Sequence, residues 1–173
     1  MIDMLTKRIS KHTIEEMLHL ANITATAGRE LGFPLCDING KIERSTELSC
    51  VGEKCWVKPS TNCGKNKMIG LFHTHPPANT ISMPSFADIK NAYVVGLDCI
   101  GNKSKRYGSV VACNERKAEF NSNVHSAMTK GKNIWEGIDR IDAKKTFLRN
   151  YFTTTLIARH PKTKDIIGVE YKY

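Results

Sequence analysis

His73-Thr74-His75 and Asp88 are the residues of this chain whose types and spacing point most directly to chemistry. An apolar run, Met68 to Phe72, leads into the histidines; a proline-broken loop follows, and Ser85-Phe86-Ala87-Asp88 closes the stretch. Side chains alternate faces along an extended segment, so histidines at i and i+2 share a side. Neutral imidazoles held on one face are ligands for a borderline-soft ion such as zinc. Asp88 offers a third, harder ligand. Three protein ligands leave the fourth corner of a tetrahedron to water, the pattern of catalytic rather than structural zinc sites. A His-x-His pair by itself is as readily a surface or core feature, so the flanking elements decide its weight.

Those elements are a strand end and a helix start. Pro76 and Pro77 force the chain out of the strand, and Pro84 precedes a helix-like run from Ser85 to Val95. Ser85 reads as the N-cap of that helix, with Asp88 one turn in. Such a geometry can converge His73, His75 and Asp88 on one point. The plainer reading of the last pair is a capping serine with an aspartate stabilised by the helix dipole.

His-x-His-Pro followed by Ser-x-x-Asp resembles the signature of the JAMM (MPN+) zinc metalloproteases, of the prokaryotic type, over roughly Ile14 to Asn114. The nine residues from Pro76 to Pro84 make the loop two longer than the family's usual spacer, which leaves its path open. Ser82 is a rival for Ser85, but only Ser85 has an aspartate three residues on. The resemblance implies an α/β fold, a three-layer α/β/α sandwich with a mixed sheet of MPN/JAMM-like and cytidine-deaminase-like form. It implies Zn2+ held by His73, His75 and Asp88, with Ser85 donating to a developing oxyanion. In the family a glutamate just ahead of a glycine-containing apolar strand is the general acid/base. Glu30 with Gly32 resembles that arrangement, although the family more often has one extra residue before the glycine. Glu43 and Glu47, mid-hairpin, are the alternatives.

The substrate class so implied is a protein or peptide, including the C-terminal tail of a ubiquitin-like modifier, cleaved at a peptide or isopeptide bond. A second reading is a non-catalytic MPN-like scaffold that binds partners, although such members typically lack the ligands retained here. The chain has no His-x-Glu with a downstream Pro-Cys-x-x-Cys, which argues against nucleobase deamination.

At 173 residues one domain, 1–173, is expected, with a JAMM-like core over 14–114 and a C-terminal helix and hairpin extension over 115–173. Lys+Arg 26 against Asp+Glu 17 gives a net charge of +9, which favours acidic partners, nucleic acid among them. The positive residues are spread rather than blocked, so a solvated surface explains them equally well. No apolar run is long enough for a membrane span, and a soluble, cytoplasmic protein is the expectation. Six cysteines are many for that compartment, where reduced core thiols are the default. Cys50, Cys55 and Cys63 cluster in a polar insertion, where a disulfide or a second metal site are both open.

The remaining elements follow from pattern. Residues 1–12 read as basic and irregular. Thr13-x-x-Glu16 is a capping-box pattern opening a helix whose apolar face is Ile14, Met17, Leu18, Ala21 and Ala25, closed by Gly28. Runs on either side of Asn39-Gly40 predict a hairpin, the second spanning Lys41 to Val51. Trp56 with Lys54 and Lys58 forms either a contact patch or the packing of its own loop. Strands are predicted at Leu97–Gly101, Gly108–Cys113 and Lys117–Phe120, a helix at Asn133–Asn150, and a terminal hairpin at Thr153–His160 and Ile166–Tyr173. His12, His19, His125 and His160 lack partners at ligand spacing.

Overall fold

Among the described residues, eight strands form one mixed sheet in the computed structural model of this chain. The structure describes residues 4–27, 30–45, 50–51, 63–117 and 141–173. In chain order the described elements are α1 (Met4–Arg8), α2 (Lys11–Ala27), β1 (Leu31–Ile38), β2 (Lys41–Arg44), β3 (Cys50–Val51), β4 (Lys67–Thr74), α3 (Phe86–Val95), β5 (Leu97–Ser104), β6 (Gly108–Arg116), α4 (Ile141–Tyr151), β7 (Phe152–Arg159) and β8 (Ile166–Tyr171). Seven strands run in the order β2-β1-β4-β5-β6-β7-β8, and β3 pairs with β1. β4 and β5 are parallel, and the other pairs are antiparallel. A parallel pair needs a crossover, and the segment from His75 through α3 supplies it. The fold is therefore α/β with a mixed sheet.

Strand alternation divides the core. Met17 and Leu18 of α2, with Leu5 of α1, pack on Phe33, Phe72, Cys99, Val111 and Ile157. The intervening residues of β6, Val110 and Ala112, instead join Ile81 of the crossover loop. Ile89, Ala92 and Tyr93 of α3 pack with Phe147 and Leu148 of α4.

The Asn39-Gly40 turn forms as expected, both residues taking positive φ (53° and 82°), which matches a tight turn between twisted strands. The arm expected over Lys41 to Val51, however, ends as β2 at Arg44, and Cys50–Val51 is the separate β3. The terminal hairpin also forms, as β7 and β8, and extends the same sheet. Other expectations are corrected. Part of the segment read as irregular is α1, whose Leu5 and the following Ile9 are buried; too few apolar residues stand there to show a period. α2 starts earlier than Thr13, because Ser10 caps it: Ser10 Oγ accepts from Thr13 N–H at 3.2 Å. Thr13 and Glu16 instead tie the helix to β2, Thr13 accepting from Arg44 N–H at 3.1 Å and Glu16 pairing with the Arg44 guanidinium.

The thiols expected to be reduced include two bonded pairs, Cys36–Cys63 and Cys99–Cys113. The second pair joins residues directly opposite on neighbouring strands, so sheet register brought them together. Bonding to Cys36 also takes Cys63 out of any cluster with Cys50 and Cys55. Gly28, Glu47, Lys54, Cys55, Trp56, Lys58, His125, Ala118–Phe120 and residues 133–140 of the expected helix lie outside the described residues. No described helix is long and apolar enough to cross a membrane.

Candidate metal centre

β4 sends Phe72 and Thr74 toward α2, and the alternation leaves His73 on the side of α3. Thr74 is buried; its hydroxyl lies 2.8 Å from that of Thr24 on α2 and accepts from Leu31 N–H at 2.8 Å. One residue between the histidines thus locks β4 to both a helix and the start of β1. His75 continues the pairing beyond the strand, its N–H donating to Gly101 C=O at 2.8 Å.

The crossover loop has a defined path. Ala78 bridges to β5 at Ser104, Asn102 donates to Thr80 C=O at 3.0 Å, and Ile81 is buried against the sheet. The loop runs along the end of β5 before it returns at Pro84. Ser82 lies on this loop, its N–H 3.4 Å from Asn102 Oδ1, and is not the helix cap. Ser85 is the cap: its Oγ accepts from Asp88 N–H at 3.2 Å, and Asp88 Oδ2 accepts from Ser85 N–H at 2.8 Å. This reciprocal box turns the Asp88 carboxylate back over the helix N-terminus.

The result is a convergence of nitrogen and oxygen atoms. His73 Nε2 and His75 Nε2 are 3.1 Å apart. Asp88 Oδ1 is 3.0 Å from His73 Nε2, and Oδ2 is 3.2 Å from His75 Nε2. Among the described residues, His73, His75 and Asp88 form a group whose ligand atoms all lie within 4.8 Å of one another. Ligand atoms on a tetrahedral zinc with bonds of about 2.0–2.1 Å stand about 3.3 Å apart, close to these spacings. Two nitrogens and a carboxylate also suit zinc chemically. The donor set fits the ion.

Electrostatics describe the same crowding. Burial alone would lift the Asp88 carboxyl, but hydrogen bonds from His73 and His75 outweigh it and hold the group well below the usual carboxylate range. Burial alone would lower His73, but the charges of Asp98, Asp88 and Glu30 raise it to about 9. Three carboxylates therefore bear on one imidazole, a field that favours a cation there.

Glu30 is exposed, immediately ahead of β1. Gly32 sits opposite His73 in the ladder, so Glu30, two residues before it, falls on the side His73 faces. Its charge reaches His73. A Cβ at Gly32 would meet Phe72 O at 2.5 Å, so only glycine admits this closeness of β1 and β4. Glu43 is half-buried on β2, which β1 separates from β4. His12 and His19 are exposed on α2, and His160 accepts from Lys162 and Thr163 N–H in the β7–β8 turn.

Asp98 escaped the sequence reading. It is 1% exposed on β5, both carboxylate oxygens lack a hydrogen-bond partner, and Oδ1 lies 3.6 Å from His73 Nδ1. Burial lifts its carboxyl to about 8 against the opposing pull of His73. The available signal was an acid inside the apolar run Leu97-Asp98-Cys99-Ile100, where a charge needs a partner.

No protein-family model matches the chain, and no curated protein matches it. Among solved structures it is similar to the solution structure of a protein from Salinibacter ruber, at 13% identity and a TM-score of 0.37, over 64% of this chain and 82% of that one.

Proposed function

We propose that this chain is a zinc-dependent peptidase or isopeptidase of the JAMM type. The observation that carries the reading is the convergence of His73 Nε2, His75 Nε2 and both Asp88 oxygens at spacings suited to a tetrahedral ion. The finer fold reading, a three-layer α/β/α sandwich like that of the MPN and cytidine-deaminase proteins, is supported by helices packing on both alternations of the strands.

When bound, zinc supplies Lewis acidity that brings the pKa of water toward neutrality and polarises a carbonyl. Glu30, exposed beside the ligands, accepts the proton of the attacking water and returns it to the leaving amine. Ser85 Oγ accepts from Asp88 N–H, so its own hydrogen is free to be donated to the oxyanion that develops on the substrate carbonyl. An extended peptide, such as the tail of a ubiquitin-like modifier, would bind as a strand along a sheet edge.

The test combines metal analysis with cleavage of peptide and isopeptide-linked substrates. The wild type is expected to hold about one zinc per chain, His75→Ala to lose it, and Glu30→Gln to keep it while cleavage falls about 10²–10⁴-fold. A wild type without zinc after metal repletion would sink the hydrolase reading and leave a partner-binding scaffold.

A further inference from the structure

We infer that Asp98 is the positioning residue of this centre: its carboxylate, buried behind His73, accepts the Nδ1–H and thereby presents Nε2 to the cation. The inference rests on the zinc reading above and assigns a role to a residue outside the sequence motif.

Three observations carry it. The two nitrogens of His73 face different partners. Nε2 lies 3.1 Å from His75 Nε2 and 3.0 Å from Asp88, while Nδ1 faces Asp98 Oδ1 at 3.6 Å. That separation is an ion-pair distance; a shift of about half an ångström in the ring closes it to hydrogen-bond length.

The second observation is cost. A carboxylate 1% exposed with both oxygens unpartnered is expensive to keep, and an apolar residue of similar shape would serve the sheet better. Its position is explained by what it faces.

The third is a second buried polar group on the other side. Asn114 stands directly across the ladder from Asp98 and is 2% exposed. Its Oδ1 accepts from Thr154 Oγ1 at 2.7 Å, and Thr154 is its ladder neighbour on β7. That bond orients the amide, whose side chain also bears on the buried Tyr173 hydroxyl. Asp98 thus faces His73 Nδ1 with Asn114 across the ladder, in a polar row running from β4 to β7. A carboxylate on the far nitrogen selects the tautomer of a metal-binding histidine, fixes its ring and raises its basicity; loss of such a partner typically weakens metal binding 10–100-fold.

The experiment compares wild type, Asp98→Asn and the near-isosteric Asp98→Leu. It uses three readouts: zinc affinity by chelator competition, the His73 tautomer by nitrogen NMR on zinc-loaded protein, and the melting temperature of metal-free protein. Zinc affinity is expected to fall about 10–100-fold in Asp98→Leu, with Asp98→Asn intermediate because its amide oxygen still accepts. The Nδ1–H signal of His73 should move in both variants, and neither should melt below the metal-free wild type, since each removes a buried carboxyl whose oxygens have no hydrogen-bond partner. An Asp98→Leu protein that binds zinc within about threefold of wild type overturns the inference and spares the zinc reading. Metal-free melting that falls in step with affinity, with the His73 signal unmoved, also overturns it, assigning Asp98 to the sheet's frame. A wild type that binds no zinc removes both.

Discussion

The two faces of β4 are built on opposite terms. Toward α2, Phe72 is 1% exposed and stacks at a tilt on Phe33, ring centroids 4.8 Å apart, while Thr74 has partners on both α2 and β1. Toward α3, the same strand presents His73 to Asp88 and Asp98, with Glu30 adding its charge. One face is packed and satisfied; the other gathers two imidazoles and three carboxylates, a field that favours positive charge. The apolar contacts lie on the first face and the candidate metal centre on the second, one residue apart along the chain. The packed face fixes the strand that carries His73.

The largest effect should come from the packed face. Phe72→Ala is expected to cost about 3–5 kcal/mol in chemical denaturation of the metal-free protein. A loss under about 1 kcal/mol would mean that β4 is not anchored by this contact.

Gly32→Ala tests the coupling between the faces, because its Cβ would press on Phe72 O and on His73 Cα and Cβ. The expected loss is about 1–3 kcal/mol, together with weaker zinc binding from a displaced His73. Weakened folding with unchanged zinc affinity would uncouple them.

A further test is a pH dependence confined to the second face. Asp98 is raised from 3.8 to about 8 and His73 from 6.5 to about 9, so both hold protons more tightly in the folded chain. The Asp98 contribution is full below pH 3.8 and lost as pH rises toward 8; that of His73 is full below pH 6.5 and lost through 9. Asp88, held low, works the other way, its share present above pH 3.8 and lost in acid. Metal-free protein should therefore melt lower as pH rises from 6.5 to 9, and zinc affinity should strengthen over the same range as the His73 proton is displaced. Flat melting and flat affinity would contradict the crowding of charge around His73.

Much of this was legible before folding. The capping serine, the Asn-Gly turn and the terminal hairpin depend on neighbours a few residues away, so local rules found them. Thr13-x-x-Glu16 misled because its residues bond across to Arg44, a partner on another element. The cysteine pairs were hidden because register, not spacing, brings Cys99 to Cys113.

The sequence by itself determined the candidate donor side chains, the shared face of His73 and His75, and the box that aims Asp88, since alternation and capping act over a few residues. Only the tertiary structure decided that β5 would lie parallel to β4, setting Asp98 behind His73 and Asn114 across from Asp98. A buried charge is intelligible only through the partners that long-range packing brings to it.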